Sequence, residues 1–428
     1  MAASKQDYVN RIIASRFEHL LSGLPALSLE GAKGVGKTTL AKRYAKSIFR
    51  MDDETVSTLV VGTPEIIKES AHPVLLDEWQ AAPSIWNTVR HFVDENMEPG
   101  QYLLTGSSAP KKAKLHSGAG RIVRLKMRPF SLQERGLAPS LLSLGALLED
   151  DADIKSQAVE VPQQAYVKEI LCSGFPGVRQ VASEYHREIL DRYIDTIIEK
   201  DFSELGFEVR YPETLRAWMK AYAAAEGSTT SYESIMNAAT PGQDKKPAKA
   251  TTMVYREALE ALCIIDSVKP WLAEGNLYRN LAKAPKHYLA DPALSARLLG
   301  VTEDKLLQGE RVQILGAQTK TLIGRLFEGL VAQSLKVYAG ALGLPLCHIR
   351  TTRGDHEVDF VIEKGNTLIA LEVKFSPKIE ERDGVHLDWL ERNLPGKRVI
   401  KIVVYSGKYL VRQEQDKTIF VPAACLGV

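Results

Sequence analysis

The sequence predicts an α/β protein with a parallel-sheet domain at its amino end, a helical middle and a second α/β domain. Three observations predict this fold. Apolar runs alternate with helical patterns up to residue 140, helical periodicity dominates residues 163–300, and strand patterns return after residue 320. The 428 residues also exceed what one hydrophobic core usually supports. We place the domains at residues 1–140, 141–205 (a helical linker or lid), 206–300 and 301–428.

Composition excludes several classes of protein. Apolar residues make up 45% and charged residues 25% of the chain, as in ordinary globular proteins. No apolar run reaches about 18 residues, so a membrane protein is not expected and a cytoplasmic location is predicted. The four scattered cysteines favour neither a disulfide framework nor a zinc site. Two lysine-rich clusters, at residues 111–128 and 241–249, are candidate polyanion sites or ordinary solvated surface.

A glycine-rich turn lies between the apolar run 24–29 and the helical pattern 40–45. In such a turn, successive backbone N–H groups point at phosphate oxygens, and the following helix adds its positive end. The turn therefore predicts a P-loop for ATP, in which Lys37 contacts the β and γ phosphates and Thr38 ligates Mg²⁺. The alternative is a glycine turn that only joins a strand to a helix. The predicted binding residues are Gly31, Gly34, Val35, Gly36, Lys37, Thr38 and Thr39.

The apolar run 73–76 ends in two acids, Asp77 and Glu78, and resembles a Walker B strand. Asp77 would hold Mg²⁺ through water, and Glu78 would polarise the attacking water near the γ-phosphate. The alternative is a strand end with ordinary surface carboxylates. A further strand pattern, residues 101–104, leads to Ser107, which we expect at the same phosphate-facing edge of the sheet.

The remaining patterns complete the coarse plan. Residues 56–61 and 122–125 are predicted as further strands, and residues 85–93 as a helix between two strands. In the middle of the chain, three helical segments precede a short extended piece, an order that resembles a winged helix with residues 251–263 in the place of the recognition helix. The alternative is a helical bundle that only packs. The three segments cover residues 215–225, 232–239 and 251–264.

Near the carboxy end, two strand patterns flank a turn of glycine and asparagine, which predicts a β-hairpin. Strand alternation places Glu372 and Lys374 on one face, where Asp359 of the partner strand can converge with them. The acid, the hairpin and the Glu-x-Lys strand resemble the core of the PD-(D/E)XK nuclease superfamily. The alternative is a hairpin whose charged side chains form ordinary surface pairs.

The nuclease resemblance implies a metal-dependent phosphodiester chemistry. Carboxylates of Asp359 and Glu372 would bind Mg²⁺, which stabilises charge on phosphate and activates water. Lys374 would orient that water or balance the developing charge. In this superfamily a glutamate of the first helix often completes the metal site, and Glu328 is the matching residue.

Taken together, these motifs resemble a large family of predicted prokaryotic AAA+ ATPases that carry a carboxy-terminal domain of unknown function. The resemblance implies an ATPase with a winged-helix insert and a nuclease-like fold, acting on DNA. Arg121 matches a family arginine that would serve as an arginine finger for a neighbouring subunit of a homo-oligomer, or would pair with an acid of its own domain. The matching segments are 31–39, 75–80, 104–108, 120–121, 128–132, 174–176 and 285–291, with Glu328, Asp359, Glu372 and Lys374.

Three functional hypotheses follow. The leading one is an ATP-hydrolysing, DNA-associated protein in which nucleotide state repositions the winged-helix-like and nuclease-like domains. The second is a nucleotide-dependent switch that binds a protein partner and uses an inactive nuclease-like fold as a platform. The third is a metal-dependent nuclease gated by ATP.

Overall fold

The computed structural model describes residues 8–107, 119–207, 209, 211–239, 248–272, 281–308 and 321–428. The lysine-rich segments 111–116 and 241–247 lie outside these residues. The amino-terminal part forms a five-stranded parallel sheet in the order β2-β3-β4-β1-β5. Its elements are α1 (Ile13–Leu21), β1 (Ala26–Glu30), α2 (Lys37–Ala41), β2 (Ser47–Arg50), α3 (Glu54–Gly62), α4 (Glu65–Glu69), β3 (Val74–Asp77), α5 (Ser84–Glu95), β4 (Tyr102–Gly106) and β5 (Ile122–Lys126).

This sheet confirms the predicted parallel α/β domain and explains its apolar strands. Successive side chains of β3 enter cores on opposite faces of the sheet. Leu75 belongs to the same buried cluster as Phe17 of α1, whereas Leu76 lies in the cluster that contains Trp86 of α5. A parallel sheet covered on both faces needs apolar residues throughout its strands. Because β4 lies between β1 and β3, the carboxyl ends of these three strands meet at one edge.

One predicted strand is wrong. Residues 56–61 lie in the helix α3, although their valines and threonine favour a strand. The carboxylate of Asp53 accepts hydrogen bonds from the backbone N–H groups of Thr55 and Val56, which caps the first turn of the helix. The second strand of the sheet is instead the short edge strand β2. The helix after the glycine turn, α2, is also shorter than the pattern 40–45 indicates.

The middle of the chain is helical, as predicted. After the three helices Pro212–Ala224, Tyr232–Ala239 and Lys249–Ala261, residues 265–268 pair with residues 286–289 in an antiparallel ladder. This order matches the predicted one, while the winged-helix fold itself stays a prediction. The helices are α6 (Leu132–Arg135), α7 (Leu144–Glu149), α8 (Gln163–Leu171), α9 (Pro176–Arg179), α10 (His186–Thr196), a π-helix (Ile197–Asp201), α11 (Phe202–Glu204), α12 (Pro212–Ala224), α13 (Tyr232–Ala239), α14 (Lys249–Ala261), α15 (Pro292–Leu298) and α16 (Glu303–Gln308).

The carboxy-terminal part builds an eight-stranded mixed sheet in the order β7-β13-β14-β12-β11-β10-β9-β8. Its centre runs as a helix, three antiparallel strands, a helix and a strand parallel to the third. The elements are β6 (Leu142–Ser143), β7 (Gln157–Ala158), β8 (Lys269–Pro270), α17 (Leu322–Leu342), β9 (Leu346–Arg350), β10 (Glu357–Lys364), β11 (Thr367–Lys374), α18 (Val385–Asn393), β12 (Arg398–Tyr405), β13 (Tyr409–Arg412), β14 (Ile419–Pro422) and β15 (Leu426–Gly427).

The predicted hairpin is present between β10 and β11. Lys364 pairs with Thr367, so the loop consists of Gly365 and Asn366, and Gly365 has a φ of 58° that favours glycine. Two short strands from the segment predicted as a helical linker also join this end of the molecule. β6 pairs with β15, and β7 pairs with β13. Within the described residues, no helix combines the length and the apolar character that crossing a bilayer requires.

Candidate nucleotide site and carboxylate cleft

The glycine-rich turn has the backbone shape of a phosphate-binding loop. Gly34 and Gly36 have φ values of 82° and 95°, a region that side chains disfavour. A Cβ atom on Gly31 would lie 2.2 Å from the carbonyl oxygen of Met127, so that position also requires glycine. The loop ends at Lys37, the first residue of α2, and Thr39 lies exposed two residues further along.

Lys37 folds back onto its own loop. Its ammonium donates hydrogen bonds to the carbonyl oxygens of Gly31 and Ala32, at 2.8 and 3.0 Å. Burial lowers the pKa of Lys37, although the nearby carboxylate of Glu78 opposes that shift. The lysine is therefore held by neutral acceptors, and phosphate oxygens are stronger acceptors that can replace them.

Thr38 and Asp77 come together at the edge where β1 and β3 end. The Thr38 hydroxyl donates to Oδ1 of Asp77 at 2.6 Å, and the Thr105 hydroxyl of β4 donates to the same oxygen at 2.5 Å. A threonine hydroxyl beside a carboxylate is the donor set that Mg²⁺ accepts together with phosphate oxygens and water. These residues fit the predicted magnesium site.

Glu78 and Ser107 line a cleft of 640 Å³ beside the loop, which we call the nucleotide cleft. Glu78 has a φ of 54°, an uncommon conformation for a residue other than glycine. Its carboxylate accepts a hydrogen bond from the side chain of Gln80. Backbone strain of this kind concentrates at functional sites, where the surrounding structure holds it in place. The cleft is closed on its other side by Asp201, Glu204 and Leu262 from the middle of the chain.

Arg121 pairs inside its own domain. Its Nε atom lies 2.6 Å from Oδ1 of Asp94 on α5, and its side chain is 41% exposed. This is the alternative that the sequence left open for this residue. Its action on a neighbouring subunit stays a prediction.

The middle of the chain contacts the loop directly, and the sequence did not predict these contacts. The Lys33 ammonium pairs with Asp201 and Glu204, each at 2.7 Å, and the Tyr193 hydroxyl donates to the Lys33 carbonyl. From the other side, the buried Arg11 donates to the Val35 carbonyl at 2.7 Å. The phosphate-binding loop is therefore held from two sides by residues outside its own turn.

A buried aspartate joins three parts of the molecule. Asp266 accepts hydrogen bonds from Lys126, the last residue of β5, at 2.8 Å and from Arg128, two residues further along, at 2.7 Å. Lys336 of α17 donates to its backbone carbonyl. Burial alone would raise the pKa of Asp266, but Arg128 and Lys336 hold it well below its ordinary value. Burial lowers the pKa of Lys336 to about 8.

The residues of the predicted nuclease-like set also come together. Asp359 and Glu372 are buried side by side on β10 and β11, and they line a cleft of 440 Å³ with Lys374. We call this the carboxylate cleft. Lys374 Nζ lies 3.8 Å from Oε1 of Glu372. Asp359 also accepts a hydrogen bond from the backbone N–H of Val373 at 2.9 Å.

A lysine that the sequence did not single out occupies the centre of this set. Lys286 is fully buried, and its Nζ atom lies 2.7 Å from Asp359, 2.8 Å from Glu328 and 3.0 Å from Glu357. Tyr288 donates a hydrogen bond to Glu328 at 2.5 Å. Burial alone would lower the pKa of Lys286, but the carboxylates of Asp359 and Glu328 raise it well above its ordinary value.

The predicted metal site at Glu328, Asp359 and Glu372 does not fit this arrangement. One oxygen of Glu328 and one oxygen of Asp359 already contact an ammonium group. Within the described residues, no cluster of three or more histidine, cysteine, aspartate or glutamate side chains is arranged to hold a metal ion. The sequence placed the three acids correctly near one another but missed the lysine between them. The available signal was a lysine inside the mainly apolar segment 285–291.

Comparison with known proteins identifies three regions of the chain. Residues 24–136 match the AAA domain family. This range of the chain includes the glycine-rich loop, Asp77 and Glu78. The amino-terminal region therefore resembles an AAA domain. Residues 163–305 match a domain of unknown function (DUF8612), and residues 323–426 match another (DUF4143). These matches support the predicted AAA-type domain and confirm a carboxy-terminal domain of unknown function.

Two longer relatives match most of this chain, and both are themselves uncharacterized. The uncharacterized proteins Rv2008c of Mycobacterium tuberculosis and Mb2031c of Mycobacterium bovis are each 25% identical over 371 residues, covering 85% of this chain and 73% of theirs. Among solved structures, the Walker-type ATPase PABY2304 of Pyrococcus abyssi overlaps 69% of this chain and 97% of its own, at 16% identity and a TM-score of 0.40. The ORC2 protein of Aeropyrum pernix overlaps 66% and 91%, at 14% identity and a TM-score of 0.28.

Proposed function

We propose that this protein binds and hydrolyses ATP with Mg²⁺ in its AAA domain and uses the nucleotide state to reposition its middle and carboxy-terminal domains on DNA. One observation carries the catalytic part of this proposal. Lys37 lies in a glycine cradle beside the hydrogen-bonded pair of Thr38 and Asp77, at the edge where three parallel strands end. This combination supplies backbone donors, a cation and metal ligands to one triphosphate.

The roles of the chain's own residues follow from that placement. Lys37 would exchange its two carbonyl partners for phosphate oxygens, and Thr38 with Asp77 would hold the metal ion. Bound Mg²⁺ would neutralise phosphate charge. Glu78 would accept a proton from, or orient, the attacking water, since its carboxylate faces the nucleotide cleft.

The proposed coupling rests on Asp266. Lys126 is the register partner of Glu30, the residue before the glycine loop, and Lys126 binds Asp266. Asp266 belongs to the same antiparallel ladder as Lys286, and Lys286 contacts Asp359 of the carboxylate cleft. A shift of the loop on nucleotide binding would therefore reach the carboxy-terminal domain through directly bonded groups.

The catalytic proposal is tested by ATP turnover. Lys37→Ala and Glu78→Gln should each lower the rate by about 100-fold or more, because each removes a group that acts on the γ-phosphate or the water. Lys68→Ala is the matched control, since Lys68 pairs with Glu95 on the surface away from the cleft. Turnover that both active-site variants retain would remove the proposed mechanism.

The DNA proposal needs its own measurement. Affinity for duplex, single-stranded and branched DNA should fall steeply as salt rises, because phosphate contacts release counterions. The DNA form that also stimulates ATP turnover would identify the partner. Absence of binding at low salt with ATP present would reject the DNA association and leave the ATPase proposal in place.

A second candidate function is favoured by the position of Lys286. A carboxylate cleft already neutralised by lysine supports a nucleotide-dependent switch that binds a protein partner through an inactive nuclease-like fold. The ATP-gated nuclease is the competing hypothesis. It requires DNA cleavage that depends on Mg²⁺ or Mn²⁺ and disappears in Asp359→Ala.

A further inference from the structure

A buried cation lies directly behind the carboxylate cleft, in contact with Asp359 and Glu357 of its lining. The Lys286 ammonium lies within 3.0 Å of oxygens from three carboxylates, which come from α17 and β10. Glu328 and Asp359 are themselves almost fully buried, whereas Glu357 is partly exposed toward the cleft. An ammonium group has three N–H donors, so each of the three carboxylates can accept one hydrogen bond.

The backbone holds Lys286 in this position. Its N–H and carbonyl groups both pair with Val268, at 2.9 Å each, and the side chain is fully buried beside the ring of Phe360. The same ladder is anchored by Asp266, whose N–H donates to the Tyr288 carbonyl. Withdrawing the ammonium would require opening this ladder and would remove a cation from three neighbouring carboxylates, of which Glu357 also lies 3.6 Å from Arg350.

A divalent ion and this lysine would compete for the same oxygens. Mg²⁺ requires near-octahedral oxygen ligands at about 2.0–2.1 Å. Oδ1 of Asp359 and Oε1 of Glu328 face the ammonium at 2.7 and 2.8 Å. Two cations that share buried oxygens repel each other strongly in a medium of low dielectric constant.

We propose that Lys286 is the resident cation of the Glu328 and Asp359 carboxylates, in the position that a divalent metal would otherwise occupy, and that the carboxylate cleft beside them binds no divalent metal. The carboxy-terminal domain consequently does not hydrolyse phosphodiesters by a metal-dependent reaction. This inference concerns the carboxy-terminal domain alone, so it stands or falls separately from ATP hydrolysis in the AAA domain.

The first test measures metal binding by the full chain without nucleotide. Mn²⁺ titration followed by electron paramagnetic resonance should give the same binding curve for the wild type and for Asp359→Asn, because the cleft contributes no site. Comparing the two proteins subtracts any weak binding at Thr38 and Asp77. A Mn²⁺ site that is present in the wild type and lost in Asp359→Asn would overturn the proposal.

The second test removes the lysine. Lys286→Met should lower the melting temperature by several degrees, because it removes the ammonium that buried carboxylates contact. Mn²⁺ should restore most of this loss, while it shifts the wild type by no more than binding at Thr38 and Asp77 contributes. Lys364→Met is the control, since Lys364 pairs with Glu149 on the surface. If Mn²⁺ fails to stabilise the folded variant, Lys286 does not stand in for a metal. If the variant does not fold, the Mn²⁺ titration of the wild type decides the question.

Discussion

A buried lysine lies beside each of the two clefts, Lys37 near the nucleotide cleft and Lys286 behind the carboxylate cleft. The two lysines have opposite kinds of hydrogen-bond partner. Lys37 donates to two backbone carbonyls of its own loop. Lys286 donates to carboxylates that come from other parts of the chain. Burial lowers the pKa of Lys37, whereas the surrounding carboxylates raise the pKa of Lys286 against the effect of burial.

This difference in partners means that the charge of Lys37 is only partly compensated, whereas the charge of Lys286 is already neutralised by carboxylates. Carbonyl groups compensate an ammonium incompletely, so the nucleotide cleft gains most when an anion arrives. Carboxylates compensate an ammonium fully, so the carboxylate cleft gains little from a further cation. Motif residues alone therefore do not establish activity, because the partner of each charge decides what the site can bind.

The largest expected effect concerns stability without ligands. Lys286→Met should cost about 3–5 kcal/mol of unfolding free energy, because it leaves buried carboxylates without their partner. Lys37→Met should cost about 1 kcal/mol, since it removes hydrogen bonds to neutral carbonyls. Urea denaturation of both variants measures the contrast. Equal losses would show that the two lysines are held alike.

The next effect concerns the ligand. Mg²⁺ with ATP at about 100 times its dissociation constant should stabilise the wild type by about 2.7 kcal/mol. The same gain is expected for Asp359→Asn, whose substitution lies in the other cleft, and it should be absent in Lys37→Met. Thermal unfolding with and without nucleotide measures this. A gain that depends on Asp359 would contradict the separation of the two clefts.

The free energy of coupling between the two clefts should be smaller than the stability effect of Lys286→Met. Asp266→Asn removes the charge that binds Lys126 and Arg128. The difference in DNA affinity between the ATP-bound and nucleotide-free states should therefore shrink. Allosteric coupling typically contributes about 1–3 kcal/mol to such a difference. Basal ATP turnover should persist. Glu95→Gln, which removes a surface ion pair, is the control. An undiminished nucleotide effect in Asp266→Asn would exclude this route of coupling.

The last effect is a pH dependence confined to the carboxy-terminal side. Burial, with the charge of Lys286 adding to it, lowers the pKa of His348 to about 4 from 6.5. Between these values the unfolded chain binds a proton that the folded chain does not, so His348 makes stability rise as pH rises through this window.

Replacing this histidine should remove that contribution. His348→Gln keeps a donor for the Ala284 carbonyl, which lies 3.0 Å from Nε2 of His348. Unfolding free energies at pH 5, 6 and 7 should therefore rise less steeply in the variant than in the wild type. Identical slopes would show that His348 is not buried in its neutral form.

Sequence patterns predicted features whose residues are close together in the chain. The glycine loop, the strand that ends at Asp77 and the β10–β11 hairpin each depend on a few consecutive residues and on backbone rules that hold locally. The strand prediction for residues 56–61 was wrong for a related reason. Valine and threonine have high strand propensity, whereas the Asp53 cap favours a helix. The cap, also a local signal, decided the outcome.

By itself, the sequence determined where phosphate and carboxylate chemistry would lie, since glycine freedom, strand alternation and acid placement are properties of short segments. The tertiary structure alone decided which charges neutralise one another. Lys286 reaches Asp359 from 73 residues away, through a ladder that no short pattern specifies. Electrostatic energy depends on distance in space and on burial, and neither quantity is written in the spacing of residues along the chain.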